Sequence, residues 1–196
     1  RSVVTTPTEI VKYMVDKTLS KVCDGKTPSE ILDISVADIA CGSGIFLEEA
    51  FAYLQDYCVQ WYICNGQTDH LIETGIDLYK LPLQEKKDIL CSCIYGIDID
   101  IHAVEVAKFS LLIKLIEDET APSVSEVVPI LPDLGDNIQF GNSLVSQTEL
   151  NGISGANHQM MEIAPFDWST INNGCGFDVI IGNPPYVNTE GMHALL

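Results

Sequence analysis

Ser35-Val36-Ala37-Asp38-Ile39-Ala40-Cys41-Gly42-Ser43-Gly44-Ile45-Phe46-Leu47 decides the fold. It completes an apolar run from Ile31 to Ala40 whose β-branched centre (Ile34, Val36, Ile39) reads as a buried strand. Cys41 to Gly44 is a turn. Ile45 to about Trp61 reads as a helix with Phe46, Leu47, Ala50, Tyr53, Leu54 and Tyr57 on its inner side.

The same grammar extends outward in both directions. Upstream, Thr6-Pro7-Thr8-Glu9 opens a helix over 6–21 with Ile10, Tyr13, Met14 and Leu19 near one face. Gly25 and Pro28 mark a loop. Downstream, residues 58–93 read as an insertion with one helix near Gln84 to Leu90. Ile94 to Ile97 is a strand ending at Asp98, and Ala103 to Glu117 is a helix apolar nearly all round, expected to be buried. Ile138 to Phe140 is a third strand. Phe177 to Ile181 is a fourth, running into Gly182-Asn183-Pro184-Pro185-Tyr186. Continuous apolar strands alternating with helices predict an α/β fold with a parallel sheet. Short right-handed crossovers predict the strand order third, second, first, fourth, with the Phe177 strand at an edge.

Composition bounds the function. The chain has 196 residues, 46% of them hydrophobic and 19% charged, enough for one domain with a real core. No apolar run reaches membrane-spanning length. Arg1 opens the chain without a signal-peptide pattern, so it reads as an excised part of a longer protein. Seven cysteines in no paired metal-ligand spacing, beside no export signal, predict free thiols in a reducing cytoplasm and no metal site. Ten basic against 28 acidic side chains give a net charge of −18, a surface that repels polyanions and mainly serves solubility.

The strand ends carry the chemistry, as they do in parallel α/β sheets. At the first, Gly42 and Gly44 let the backbone turn sharply and approach a ligand. A dinucleotide fingerprint would require glycine where Leu47 stands and an acid about 20 residues on. The next strand-end acid, Asp98, is far beyond that. A phosphate-binding P-loop fails too, because no Gly-Lys-Ser/Thr follows. Asp38, four residues before Gly42, can order the glycine loop, meet a ligand ammonium, or be incidental to a capping turn. At the second strand end, Asp98 can accept both hydroxyls of a ribose diol, with Ile99 against an adenine face. Asp100 is the better helix cap. At the third, Asn142 can meet an adenine amine, or simply belong to a Gly-Asn turn.

Asn183-Pro184-Pro185-Tyr186 is the sharpest signal. Two prolines at a strand end remove two N–H donors and leave carbonyl oxygens beside the Asn183 side-chain oxygen. Two aimed oxygens can hold both hydrogens of an exocyclic amine, and Tyr186 offers a flat face for a base. The plain alternative is a Pro-Pro turn with a core tyrosine.

Taken together and in this order, the motifs resemble the amino-group DNA methyltransferases that act on adenine, in particular type I modification subunits and type IIG restriction–modification enzymes. The resemblance runs from about Val3 to Val187. It implies a Rossmann-like methyltransferase fold, S-adenosylmethionine as cofactor, and duplex DNA as partner through a recognition domain outside this chain. It assigns the methionine end of the cofactor to Thr6 and Pro7, and the glycine motif to the stretch that includes Asp38, Ala40, Cys41, Gly42 and Gly44. It assigns the ribose to Asp98, the cofactor adenine to Ile99 and Asn142, and catalysis to Asn183, Pro184, Pro185 and Tyr186. Thr5 stands where such enzymes often carry Tyr or Glu, and Asn142 where many carry Asp. Four strands match a family sheet of about seven, so the sheet is expected to be incomplete, and the chain alone inactive. A protein glutamine-amide methyltransferase and a non-catalytic cofactor-binding fragment remain as other readings.

Overall fold

The computed structural model describes residues 6–120, 127–146 and 164–185. Helix α1 spans Thr8–Cys23, α2 Pro28–Ile31, strand β1 Val36–Asp38 and α3 Ile45–Cys64. An antiparallel hairpin of β2 (Ile72–Gly75) and β3 (Leu78–Lys80) follows, then α4 (Leu83–Cys93), β4 (Ile94–Asp98) and α5 (Ile101–Ile116). Strands β5 (Ile138–Phe140) and β6 (Val179–Ile180) complete the main sheet. Its order is β5-β4-β1-β6 and every pairing is parallel. Ile31, Ile34, Val36, Phe46, Leu47, Phe51, Leu54, Ile94, Leu111 and Ile138 belong to one continuous core. No helix among the described residues is long and apolar enough to cross a membrane.

Several elements differ from the sequence reading, each for a local reason. The run from Ile31 to Ala40 is not one strand. Thr27 and Glu30 form a reciprocal capping box with Pro28 in the first turn, which makes Pro28–Ile31 a short helix. Only Val36–Asp38 pairs as strand. On α1 the buried face is Val11, Val15, Leu19 and Cys23, whereas Ile10 and Tyr13 are exposed. The helix is rotated about one residue from the expected face, because apolar residues occupy both flanks. On α5 the buried stripe is Val104, Ala107, Leu111 and Leu115. Val106, Phe109 and Ile113 face outward, so the helix is not buried all round. Helix α3 runs to Cys64 and buries Cys58, so the insertion begins later than expected and consists of the hairpin and α4.

That insertion is fastened by charge. Lys86, 2% exposed, places its ammonium 2.5 Å from Asp118 and 2.6 Å from Glu119, and Lys80 meets Glu119 at 2.9 Å. Lys80 also donates to the Asp118 backbone carbonyl. Buried ammonium groups survive only when paired in this way.

At the amino ends of the strands, Ser35 and Asp178 lock β1 to the entrance of β6. The Asp178 carboxylate accepts from the Ser35 N–H and hydroxyl, both at 2.8 Å, and the Asp178 N–H donates back to Ser35. This sets the register that pairs Val36 with Val179.

Candidate active site

At the carboxyl ends of the same strands, the glycine turn is held from two sides. Gly42 and Gly44 sit at φ +54° and +92°, conformations that side chains rarely adopt. A Cβ on Gly44 would lie 3.1 Å from the Ala107 methyl, so this glycine also lets α3 start close against α5. Asp98, at the end of β4, accepts from the Gly42 N–H at 2.7 Å through one carboxylate oxygen and from the Asp100 N–H at 2.9 Å through the other. Asp100 accepts from the His102 N–H and caps α5. The two neighbouring acids therefore divide their work: Asp100 serves the helix, and half-buried Asp98 keeps lone pairs for more.

Asp38 ends β1 and is 2% exposed. Its carboxylate accepts from the Ala40 N–H at 3.0 Å and so shapes the start of the turn. Its pKa is raised to about 6, mainly by burial, against the pull of the Ala40 hydrogen bond and with the Asp98 charge adding to the rise. Among the described residues no basic side chain pairs with it. A buried carboxyl beside a second acid and no cation suits a positively charged ligand group. Cys41 is buried, and desolvation, with the Asp38 and Asp98 charges adding to it, pushes its thiol well above the ordinary range. Its N–H donates to the Ile97 carbonyl, so it is part of the wall rather than a reactive group.

The third and fourth strand ends close on the same place. Ser143 donates to the Ile39 carbonyl at 2.7 Å, fastening the turn after β5 to the turn after β1. Asn142 uses its side-chain oxygen locally, accepting from the Leu144 N–H at 3.1 Å. Beyond β6, Gly182 lies directly against Asp38: a Cβ there would come within 2.7 Å of the Asp38 carboxyl carbon. The next residue, Asn183, is half-buried and donates its amide to the Thr6 hydroxyl at 3.0 Å. Pro184 and Pro185 are exposed, as is Ile99. Tyr186 lies outside the described residues.

Thr6, Asp38, Asp98 and Asn183 thus belong to one linked cluster, drawn from both ends of the chain and two strand ends between. Sequence reading did not anticipate Ser143 or Gly182. The signal for Gly182 was present, a glycine between a buried strand and Asn183.

The sequence also matches known proteins. The model of the Eco57I restriction-modification methylase family matches residues 92–195, just over half of the chain. The chain is 45% identical over 195 residues to the type II restriction enzyme and methyltransferase RM.Eco57I of Escherichia coli, covering all of this chain and 19% of that protein. It is 34% identical over 122 residues to a candidate type II restriction enzyme and methyltransferase of Methanocaldococcus jannaschii, RM.MjaORFECS2P, covering 62% of this chain and 9% of that protein. The chain therefore spans at most about a fifth of the length of these relatives.

Proposed function

The chain belongs to the Eco57I restriction-modification methylase family, and on that premise we propose that it forms the cofactor-binding and catalytic part of an adenine-specific DNA methyltransferase using S-adenosylmethionine. The single observation that carries this reading is the convergence of Thr6, Asp38, Asp98 and Asn183 at the carboxyl ends of parallel strands.

The residues present fit the cofactor. Asp38 is a buried acid with no basic partner among the described residues, suited to an ammonium. Asp98 keeps lone pairs for ribose hydroxyls after accepting its two backbone donors. Ile99 is an exposed apolar side chain next to it, suited to an adenine face, with Asn142 and Thr6 serving the two far ends. The cofactor supplies a methyl group activated on a sulfonium.

The acceptor amine is hidden inside the base stack of a duplex, so the base must be flipped out at a cost of a few kcal/mol. Tyr186 would recover about 1–3 kcal/mol of that by stacking. The Asn183 side-chain oxygen and the Pro184 carbonyl would hold the two amine hydrogens. They orient the nitrogen lone pair toward the methyl group and stabilise positive charge as it develops. No strong general base is needed, because the amine can lose its proton after attack. With −18 on these residues, affinity for the DNA backbone must come from the rest of the protein, including its recognition domain.

The test is transfer of a tritiated methyl group to duplex DNA by the full-length protein. Asn183→Ala should abolish transfer while changing cofactor affinity less than about threefold, under about 0.7 kcal/mol. Transfer at a near wild-type rate by Asn183→Ala would remove this motif from the mechanism.

A further inference from the structure

We propose that the outward face of α5 is a docking surface for a second helix of the same full-length protein, one with an apolar stripe and basic or neutral flanks. The inference concerns how this chain is held in its parent, and it does not rest on the methyltransferase reading.

Helix α5 is apolar on two sides. Val104, Ala107, Leu111 and Leu115 are buried against the sheet and the neighbouring helices α3 and α4. Val106, Phe109 and Ile113 form a second stripe at the i, i+3, i+7 spacing of one helix face, and they are 49%, 64% and 47% exposed. A helix that is apolar all round is a helix buried all round. Among the described residues nothing covers this second stripe. Scattered apolar side chains are ordinary on a surface, whereas three in register make a contiguous face that marks a contact site.

The face is built as an interface is. Phe109, an aromatic anchor, stands between Val106 and Ile113. Toward one end of the helix Lys108 meets Glu105 at 3.1 Å, and toward the other Lys114 meets Glu117 at 2.7 Å. These rim charges are paired within the helix, so an apolar partner can cover the stripe without leaving one of them alone. The shape that fits such a stripe is another helix with its own i, i+3, i+7 anchors.

Charge and length decide where that helix comes from. Each chain carries −18, so a second copy would bring −18 against −18. The matched regions are 19% and 9% of the two relatives, so most of each relative lies outside the part that this chain resembles. A basic or neutral helix from that remainder complements the acid chain and is tethered to it.

The experiment uses purified full-length protein in which the photoreactive amino acid p-benzoylphenylalanine replaces Phe109. After irradiation, mass spectrometry identifies the captured peptide. Capture within one polypeptide is expected, at a segment outside this chain that has apolar residues at helical spacing and Lys or Arg on its flanks. The same probe at Val106 should capture the same segment. Capture of a second copy, of residues 121–126, 147–163 or 186–196, or of an acidic segment overturns the proposal, as does the absence of any capture. Hydroxyl-radical footprinting of the unsubstituted full-length protein is independent of any variant. Labelling of Phe109 should fall several-fold below that of a phenylalanine 64% exposed, and labelling in line with that exposure overturns the proposal.

Discussion

The Asp98 carboxylate reaches across 56 residues of chain to hold the Gly42 N–H at 2.7 Å. The acid is a brace for the glycine turn as well as a candidate ribose ligand, and two substitutions separate the roles. Asn in place of Asp98 keeps an oxygen for Gly42 but is a weaker acceptor for hydroxyls. Saturating cofactor at 100 times Kd should stabilise the wild type by about 2.7 kcal/mol. Asp98→Asn can serve the Gly42 N–H but not the Asp100 N–H as well, so it should lose less of the ligand-free melting temperature than Asp98→Ala and still lose much of that gain. Asp98→Ala should lose both, the former by about 1–3 kcal/mol for the unpaired N–H. Thermal melting with and without S-adenosylmethionine measures each. A full ligand-induced shift in Asp98→Ala would exclude this acid from the cofactor site.

Gly182→Ala should be costly although alanine is small. Its methyl would clash with the whole Asp38 carboxyl, 2.7 Å from the carbon and closer still to one oxygen. Either β6 or Asp38 must move. The expected loss is about 1–3 kcal/mol, as for other overpacked sites. Because Asp38 is the proposed ligand of the cofactor ammonium, weaker cofactor binding should accompany it, read by calorimetry. Unaltered stability and binding would show that β6 can shift without consequence.

Asp38 gives a pH dependence of definite sign. Its folded pKa of about 6 lies above the ordinary value of 3.8, mainly through burial. A raised carboxyl favours folding while protonated. This contribution is complete below about pH 3.8 and is lost as pH rises through 6. The difference is about two units, or about 3 kcal/mol. Asp38→Asn should remove it, so the stability of the variant relative to wild type should grow between pH 4 and 7 without cofactor. A bound ammonium should narrow the difference. Melting curves across this range decide, and a constant difference would mean that Asp38 is not desolvated.

Lys86→Ala should destabilise the protein by about 3 kcal/mol, since it takes one of two cations from the buried Glu119 carboxylate. Glu119 keeps Lys80 at 2.9 Å, which sets a ceiling on the loss. Chemical denaturation would show it. The hairpin residues Ile72 to Lys80 should lose hydrogen-exchange protection first, because Lys80 and Lys86 are what tie the insertion to the end of α5.

The sequence announced the parallel sheet because each of its strands stops at a polar or glycine motif, and those stops are where ligands sit. Asp100 as a cap was legible for the same local reason. Faces were harder. Helix α5 carries Val106, Phe109 and Ile113 outside and Val104, Ala107 and Leu111 inside, and an apolar pattern on both sides gives no direction inward. The capping box at Thr27 and Glu30 is legible in the sequence, but the longer apolar run beyond it carries the stronger strand pattern. The links that build the site, Thr6 to Asn183, Ser143 to Ile39 and Asp38 to Gly182, join residues more than 100 positions apart. No periodicity within one segment encodes such contacts.

The clamp between Ser35 and Asp178 spans 143 residues, and that separation sets an order of events. Strands β1, β4 and β5 with their helices are all encoded before residue 147, whereas β6 and the asparagine after it come later. Long-range pairing pays its loop-closure entropy before it gains contacts. During synthesis the proposed cofactor-binding half can therefore assemble while Asn183, the proposed catalytic residue, has yet to leave the ribosome. Newly made protein would then acquire affinity for its methyl donor first and catalytic competence last.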